Sequence, residues 1–162
     1  MNIKIYKRLV LNRTSFLTIV LFCLVFMNKL PAEESNLTLN ILNLEKPGVL
    51  YLTICNNAAG FENSVENEIE EASCLNERNE IDPKNLSEIN GILPNGEYAI
   101  AVFVDVNGNK KIDKNFLGIP KEQYGFSNNA MGRMSAPTFE QAKFNVKGPT
   151  THSILLRTGI PK

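Results

Sequence analysis

Glu97-Tyr-Ala-Ile-Ala-Val-Phe-Val104, running straight into Asp105-Val-Asn-Gly-Asn-Lys-Lys-Ile-Asp113, is the stretch on which the fold turns. Tyr, Ile, Val and Phe at this density favour a strand, and Pro94-Asn95-Gly96 just before it is turn composition. The apolar run then stops at a loop with oxygen-bearing side chains at Asp105, Asn107, Asn109 and Asp113. Such a loop reads either as a calcium-binding turn or as a tight hairpin turn closed by its own side chains.

Working outward, Leu37, Leu39 and Ile41 alternate with Thr38, Asn40 and Leu42, a strand pattern. Glu45-Lys-Pro-Gly48 supplies a turn, and Val49 to Cys55 is a second run of β-formers. Leu86 to Ile92, Gln141 to Lys147 and Thr151 to Arg157 read as further strands. Between residues 56 and 82 acids crowd in, from Glu62 to Glu80. There Val65, Ile69 and Ala72 fall at helical spacing, so an amphipathic helix and a solvated loop both fit. Residues 115–137 hold Gly118, Pro120, Gly125, Gly132 and Pro137 and read as a long irregular segment, a kind that is usually functional beyond about 12–15 residues. Short strands without strand–helix alternation describe an all-β, antiparallel β-sandwich, with a long ordered loop after the Asp105–Asp113 hairpin.

The front of the chain differs. Lys4, Lys7, Arg8 and Arg13 precede a mostly apolar run from Ser15 to Met27, thirteen residues. As a helix this run spans about 20 Å, against about 30 Å for a bilayer core. Residues 1–32 therefore read as a signal peptide, with retention as an uncleaved anchor the alternative, and residues 33–162 as one domain. Without residues 1–32, twelve basic residues face seventeen acids, a net charge of −5. That balance, with no basic tract, speaks against nucleic acid. The expected home is exported: periplasmic, cell-surface or secreted. There Cys55 and Cys74 are expected to pair, the alternatives being free thiols or a metal site.

Little advertises catalysis. His152 is the single histidine, in a terminal strand with no nucleophile motif nearby, so a histidine on a sheet face is the expectation. Laid on an EF-hand loop, Asp105, Asn107 and Asn109 match the first, third and fifth ligands, the Lys111 carbonyl the seventh and Asp113 the ninth. Lys110 stands where glycine permits the turn, and Phe116 where a closing Glu belongs. With two carboxylates among three lysines, any calcium site is weak, at the millimolar end. Asn-Gly also favours hairpin turns with no metal.

Gly96 to Asn109, Asp113, Asn115-Phe-Leu-Gly-Ile-Pro-Lys-Glu-Gln-Tyr-Gly-Phe-Ser-Asn-Asn-Ala130 and Pro137 to Phe144 together resemble the bacterial family labelled domain of unknown function 2141. The resemblance is strongest over residues 94–146. It implies an exported β-sandwich similar to immunoglobulin-like or transthyretin-like modules, with no established activity. Val104 replaces a histidine usual in the family, removing a potential metal or proton-transfer group, and Lys110 replaces a common glycine. The resemblance further suggests that the 115–130 segment folds back over the Asp105 loop, with Tyr124 and Phe126 as apolar plugs and Asn128 or Asn129 lending oxygens. The expected function is a non-enzymatic module at the cell envelope, binding an unknown protein or envelope component, with weak calcium support. A membrane contact is expected only through residues 1–32. The alternative is an accessory hydrolase or carbohydrate-active domain using its acidic residues.

Overall fold

In the computed structural model, residues 33–68, 70–85, 88–132 and 135–160 are described. The expected signal segment, residues 1–32, lies outside them. No helix among the described residues is long and apolar enough to cross a membrane.

β1 (Glu34–Leu42) alternates as its sequence does: Leu37, Leu39 and Ile41 are buried and their neighbours are not. β2 (Gly48–Cys55) likewise turns Leu50, Leu52 and Ile54 inward. β5 (Gly96–Asp105) has no such alternation because both its faces are covered, and such strands read as continuous apolar runs. On one face Tyr98, Ile100, Val102 and Val104 meet the inward residues of β1 and β2, in the main core. On the other face Ala99 packs in a second core with Cys55, Phe61, Phe126, Phe139 and Ala142.

Two sheets enclose the main core. The first runs β4-β1-β8, with β4 at Glu88–Pro94 and β8 at Thr150–Leu155. The second runs β3-β2-β5-β6, with β3 at Leu75–Ile81 and β6 at Tyr124–Phe126, while β7 (Phe144–Val146) pairs with the start of β5. Four of the six strand pairs lie in the second sheet and all four are antiparallel. In the first sheet β1 pairs antiparallel with β4 but parallel with β8, a departure from a wholly antiparallel sandwich.

Several elements correct the sequence expectation. Residues 56–82 hold both a helix, α1 (Ala58–Asn67), and strand β3. Asn57 caps α1 by accepting from Gly60 N at 2.8 Å. Glu68, at φ 54°, ends it, so Ala72 lies beyond the helix, and Ile69 lies outside the described residues. β3 escaped notice because Leu75-Asn-Glu-Arg-Asn-Glu-Ile81 has apolar residues only at its ends; as an edge strand it faces solvent. Gln141 and Ala142 belong to a short helix, α2 (Phe139–Ala142), before β7. There Thr138 and Gln141 form a capping box that overrides the alternating pattern. Pro94-Asn95-Gly96 is a corner carrying the chain from one sheet to the other.

Among the described residues the sandwich is closed along one side. Tyr124 and Arg157 exchange backbone hydrogen bonds, each 2.8 Å, and join β6 to the strand end after β8. Gly125 permits this approach, since a Cβ there would lie 2.8 Å from Ile154 Cγ2 and 3.0 Å from the Leu155 carbonyl. On the opposite side β3 and β4 stand apart over a cleft of about 280 Å³ with Leu37, Leu39, Leu52 and Ile54 among its lining residues. The disulfide Cys55–Cys74 ties the end of β2 to the start of β3 beneath α1. It closes a 19-residue separation, which stabilises by about 3 kcal/mol on the chain-entropy account.

Candidate functional site

The loop of residues 106–123 connects β5 to β6, so Asp105–Asp113 is the first arm of a wide connection and not a two-residue hairpin turn. Asp105 ends β5 and is 2 % exposed. Its Oδ1 accepts from Gly108 N at 2.7 Å and its Oδ2 from Lys110 N at 2.8 Å. Asn107 Oδ1 accepts from Asn109 N at 3.0 Å, and Asn109 Oδ1 from Lys111 N at 2.9 Å. These successive side-chain-to-backbone bonds curl the segment, the ordinary habit of Asp and Asn in turns.

The two asparagine amides then converge on one carboxylate. Asn107 Nδ2 donates to Asp113 Oδ2 at 2.7 Å, and Asn109 Nδ2 to Asp113 Oδ1 at 2.9 Å. The five residues proposed as calcium ligands are thus gathered in one loop, with each of their side-chain oxygens already accepting a protein N–H. Lys111 contributes its N–H to the same network. Among the described residues no group of three or more His, Cys, Asp or Glu side chains is placed to hold a metal ion.

Glu122 is the brace that sequence reasoning missed. It is 7 % exposed, and its Oε1 accepts from Val106 N and its Oε2 from Asp113 N, both at 2.9 Å. One buried carboxylate therefore ties the two ends of the Asp105–Asp113 arm to the returning strand. Gln123 beside it accepts from Glu45 N at 2.8 Å and donates to the Asn43 carbonyl at 2.7 Å, fastening the β1–β2 connection to the loop. The only sequence signal was a run of three polar residues, Lys121-Glu122-Gln123, between Pro120 and the aromatic Tyr124.

Lys110 explains its own oddity. Its φ is 65°, the left-handed region where a side chain costs about 1–2 kcal/mol, so glycine suits the position best. The Asp105 carboxylate offsets that strain by accepting from its N–H.

Asn128 and Asn129 do not serve this loop, and the suggestion that they lend it oxygens is corrected. Asn128 Nδ2 donates to the Lys143 carbonyl at 2.7 Å, and Asn129 Oδ1 accepts from Leu155 N at 2.8 Å. Strand register explains why: Phe126 lies opposite Ala101, so the residues after it move toward the start of β5, away from Asp105. Phe126 packs edge-on against Phe61 in the second core, with ring centroids 6.4 Å apart, and plugs that core, not the Asp105 loop. Ser127, fully buried, accepts at Oγ from Ile100 N at 2.8 Å and donates to the Ala142 carbonyl at 2.6 Å, latching β5 to α2.

His152 lies on β8 with its ring stacked on Phe144 at 4.0 Å, and Nε2 accepts from Asn128 N at 3.0 Å. Burial holds its pKa below the ordinary 6.5. The acid-rich region offers a different surface. A shallow groove of about 660 Å³ between β2, β3 and β4 carries Glu80, Asp82 and Glu88, with Asp82 Oδ1 accepting from Lys84 N at 2.8 Å.

Fold and loop together define a small β-sandwich module, closed along one side, with a carboxylate-braced loop at one end. A family model described as "Uncharacterized protein conserved in bacteria" (DUF2141) matches residues 40–154, and the chain belongs to that family. No curated protein and no solved structure matches the chain.

Proposed function

We propose that the domain is an exported, non-enzymatic module of the bacterial cell envelope, which binds or braces a protein or envelope component through its 106–123 loop end. The observation that carries this reading is how the loop carboxylates are engaged. Asp105 and Glu122 each hold two backbone N–H groups, which suits a structural brace better than an acid, a base or a nucleophile. Export draws support from the Cys55–Cys74 disulfide and from the basic, then apolar, pattern of residues 1–32. The test uses Glu122→Gln together with fractionation of cells expressing the full chain. A brace predicts oxidised cysteines in the envelope or medium, and a variant that loses stability. A chain retained in the cytoplasm with reduced thiols, or a variant that keeps its fold but loses glycan hydrolysis, overturns the reading.

Weak calcium binding is a second reading, favoured by the meeting of the Asn107, Asn109 and Asp113 side chains. A cation there would take the Asp113 carboxylate from the two amides. Calorimetric titration with millimolar calcium, wild type against Asp113→Ala, checks it. Identical heats remove calcium from the account.

A further inference from the structure

The far end of the 106–123 loop plays no part in the brace. Asn115-Phe-Leu-Gly-Ile119 is a closed turn: Asn115 Oδ1 accepts from Leu117 N at 2.9 Å and from Ile119 N at 3.0 Å. Gly118 N donates to the Asn115 carbonyl at 2.9 Å and Asn115 N to the Ile119 carbonyl at 2.8 Å. Lys114 and Pro120 pair across its base. On this held turn Phe116 is 94 % exposed and Leu117 67 % exposed. Adjacent large apolar side chains so fully in water mark a contact surface more often than an accident.

Lysines flank the turn in sequence. Lys110, Lys111 and Lys121 are exposed and, among the described residues, enter no ion pair, while Lys114 pairs with Glu68. The acids of the same loop face away from solvent or into the network: Asp105 and Glu122 are buried, and Asp113 is held by Asn107 and Asn109. Residues 106–123 therefore carry four lysines against two acids, a net charge of +2, on a domain whose residues 33–162 carry a net charge of −5.

We propose that the Phe116–Leu117 tip docks this domain on an anionic bilayer surface. The two side chains enter the boundary between headgroups and acyl chains, and Lys110, Lys111 and Lys121 meet the anionic headgroups. A convex tip of two residues suits a bilayer, which parts around a wedge. A protein partner would instead need about 800 Å² of matching surface. The contact is peripheral and reversible, additional to any held by residues 1–32, and it requires neither calcium nor the envelope reading above.

Among the described residues both cores, eight strands and the disulfide lie within residues 33–162, a compact unit, so the test uses that unit without the apolar 15–27 run. The chain has no tryptophan, so Phe116→Trp supplies a single fluorescent reporter. With vesicles of phosphatidylcholine and phosphatidylglycerol in equal amounts, its emission shifts to the blue and is quenched by bromine-labelled acyl chains. With phosphatidylcholine alone both responses weaken. Phe116→Ser with Leu117→Ser lowers vesicle partitioning by more than about tenfold without moving the thermal midpoint. Lys110→Gln, Lys111→Gln and Lys121→Gln together remove the preference for phosphatidylglycerol. Unchanged emission on anionic vesicles, or a double variant that partitions as the wild type does, overturns the proposal. So does a double variant whose only loss is self-association, which would assign the tip to a second copy of the chain.

Discussion

Replacing Asp105 by Ala removes the acceptor of two backbone N–H groups, those of Gly108 and Lys110. Hydrogen bonds to a charged partner contribute about 1.5–3 kcal/mol each, so the bare loss is roughly 3–6 kcal/mol. Gly108 and Lys110 are themselves exposed, and water recovers about half of that, leaving a net loss of about 1.5–3 kcal/mol. On a domain of this size the thermal midpoint falls by roughly 5–9 °C. The assay is urea and thermal unfolding of residues 33–162, oxidised, in a chelator and again in millimolar calcium. The reasoning fails if the loss in chelator is under about 0.5 kcal/mol, the range of an ordinary surface substitution. It fails equally if the loss appears only when calcium is present, because the carboxylate would then be a metal ligand and not a cap on backbone donors.

Three further outcomes follow from the same geometry. Ser127→Ala strands the Ile100 N–H and the Ala142 carbonyl in a dry interior and costs about 2–4 kcal/mol in chemical unfolding. Lys110→Gly relieves a left-handed backbone and raises the unfolding free energy by up to about 1 kcal/mol, the added freedom of the unfolded chain taking back part of the gain. His152 is half-buried in its neutral form, so its folded pKa lies below the unfolded one: stability is intact above the ordinary 6.5 and falls as pH drops through and below it. Urea midpoints between about pH 7.5 and about pH 5.5 show this slope, and His152→Gln flattens it.

What the chain discloses before folding depends on whether a pattern is local. β1, β2 and β5 were legible because one-faced burial makes β1 and β2 alternate, while two-faced burial makes β5 continuously apolar. β3 was illegible because an edge strand needs backbone partners but few apolar side chains. The curl of Asp105–Asn109 could be read from spacing, since its bonds span two to five residues. Glu122 could not, because its partners lie 9 and 16 residues away and nothing in a lone Glu says which backbone it will cap. Asn128 and Asn129 were misplaced for a related reason: their position follows from the β5–β6 register, which a sequence with an 18-residue connection does not disclose.

The parallel pairing of β1 with β8 sets the order in which this protein can be completed. Leu37 to Leu42 lie beside Thr150 to Leu155, and Leu156 N then donates to the Leu42 carbonyl at 2.9 Å. The first strand of the domain therefore waits for residues 150–156, more than a hundred positions later, before its second edge is filled. A chain delivered from its amino end through a narrow pore would stay open until residues 150–156 had emerged, and would close only on the far side.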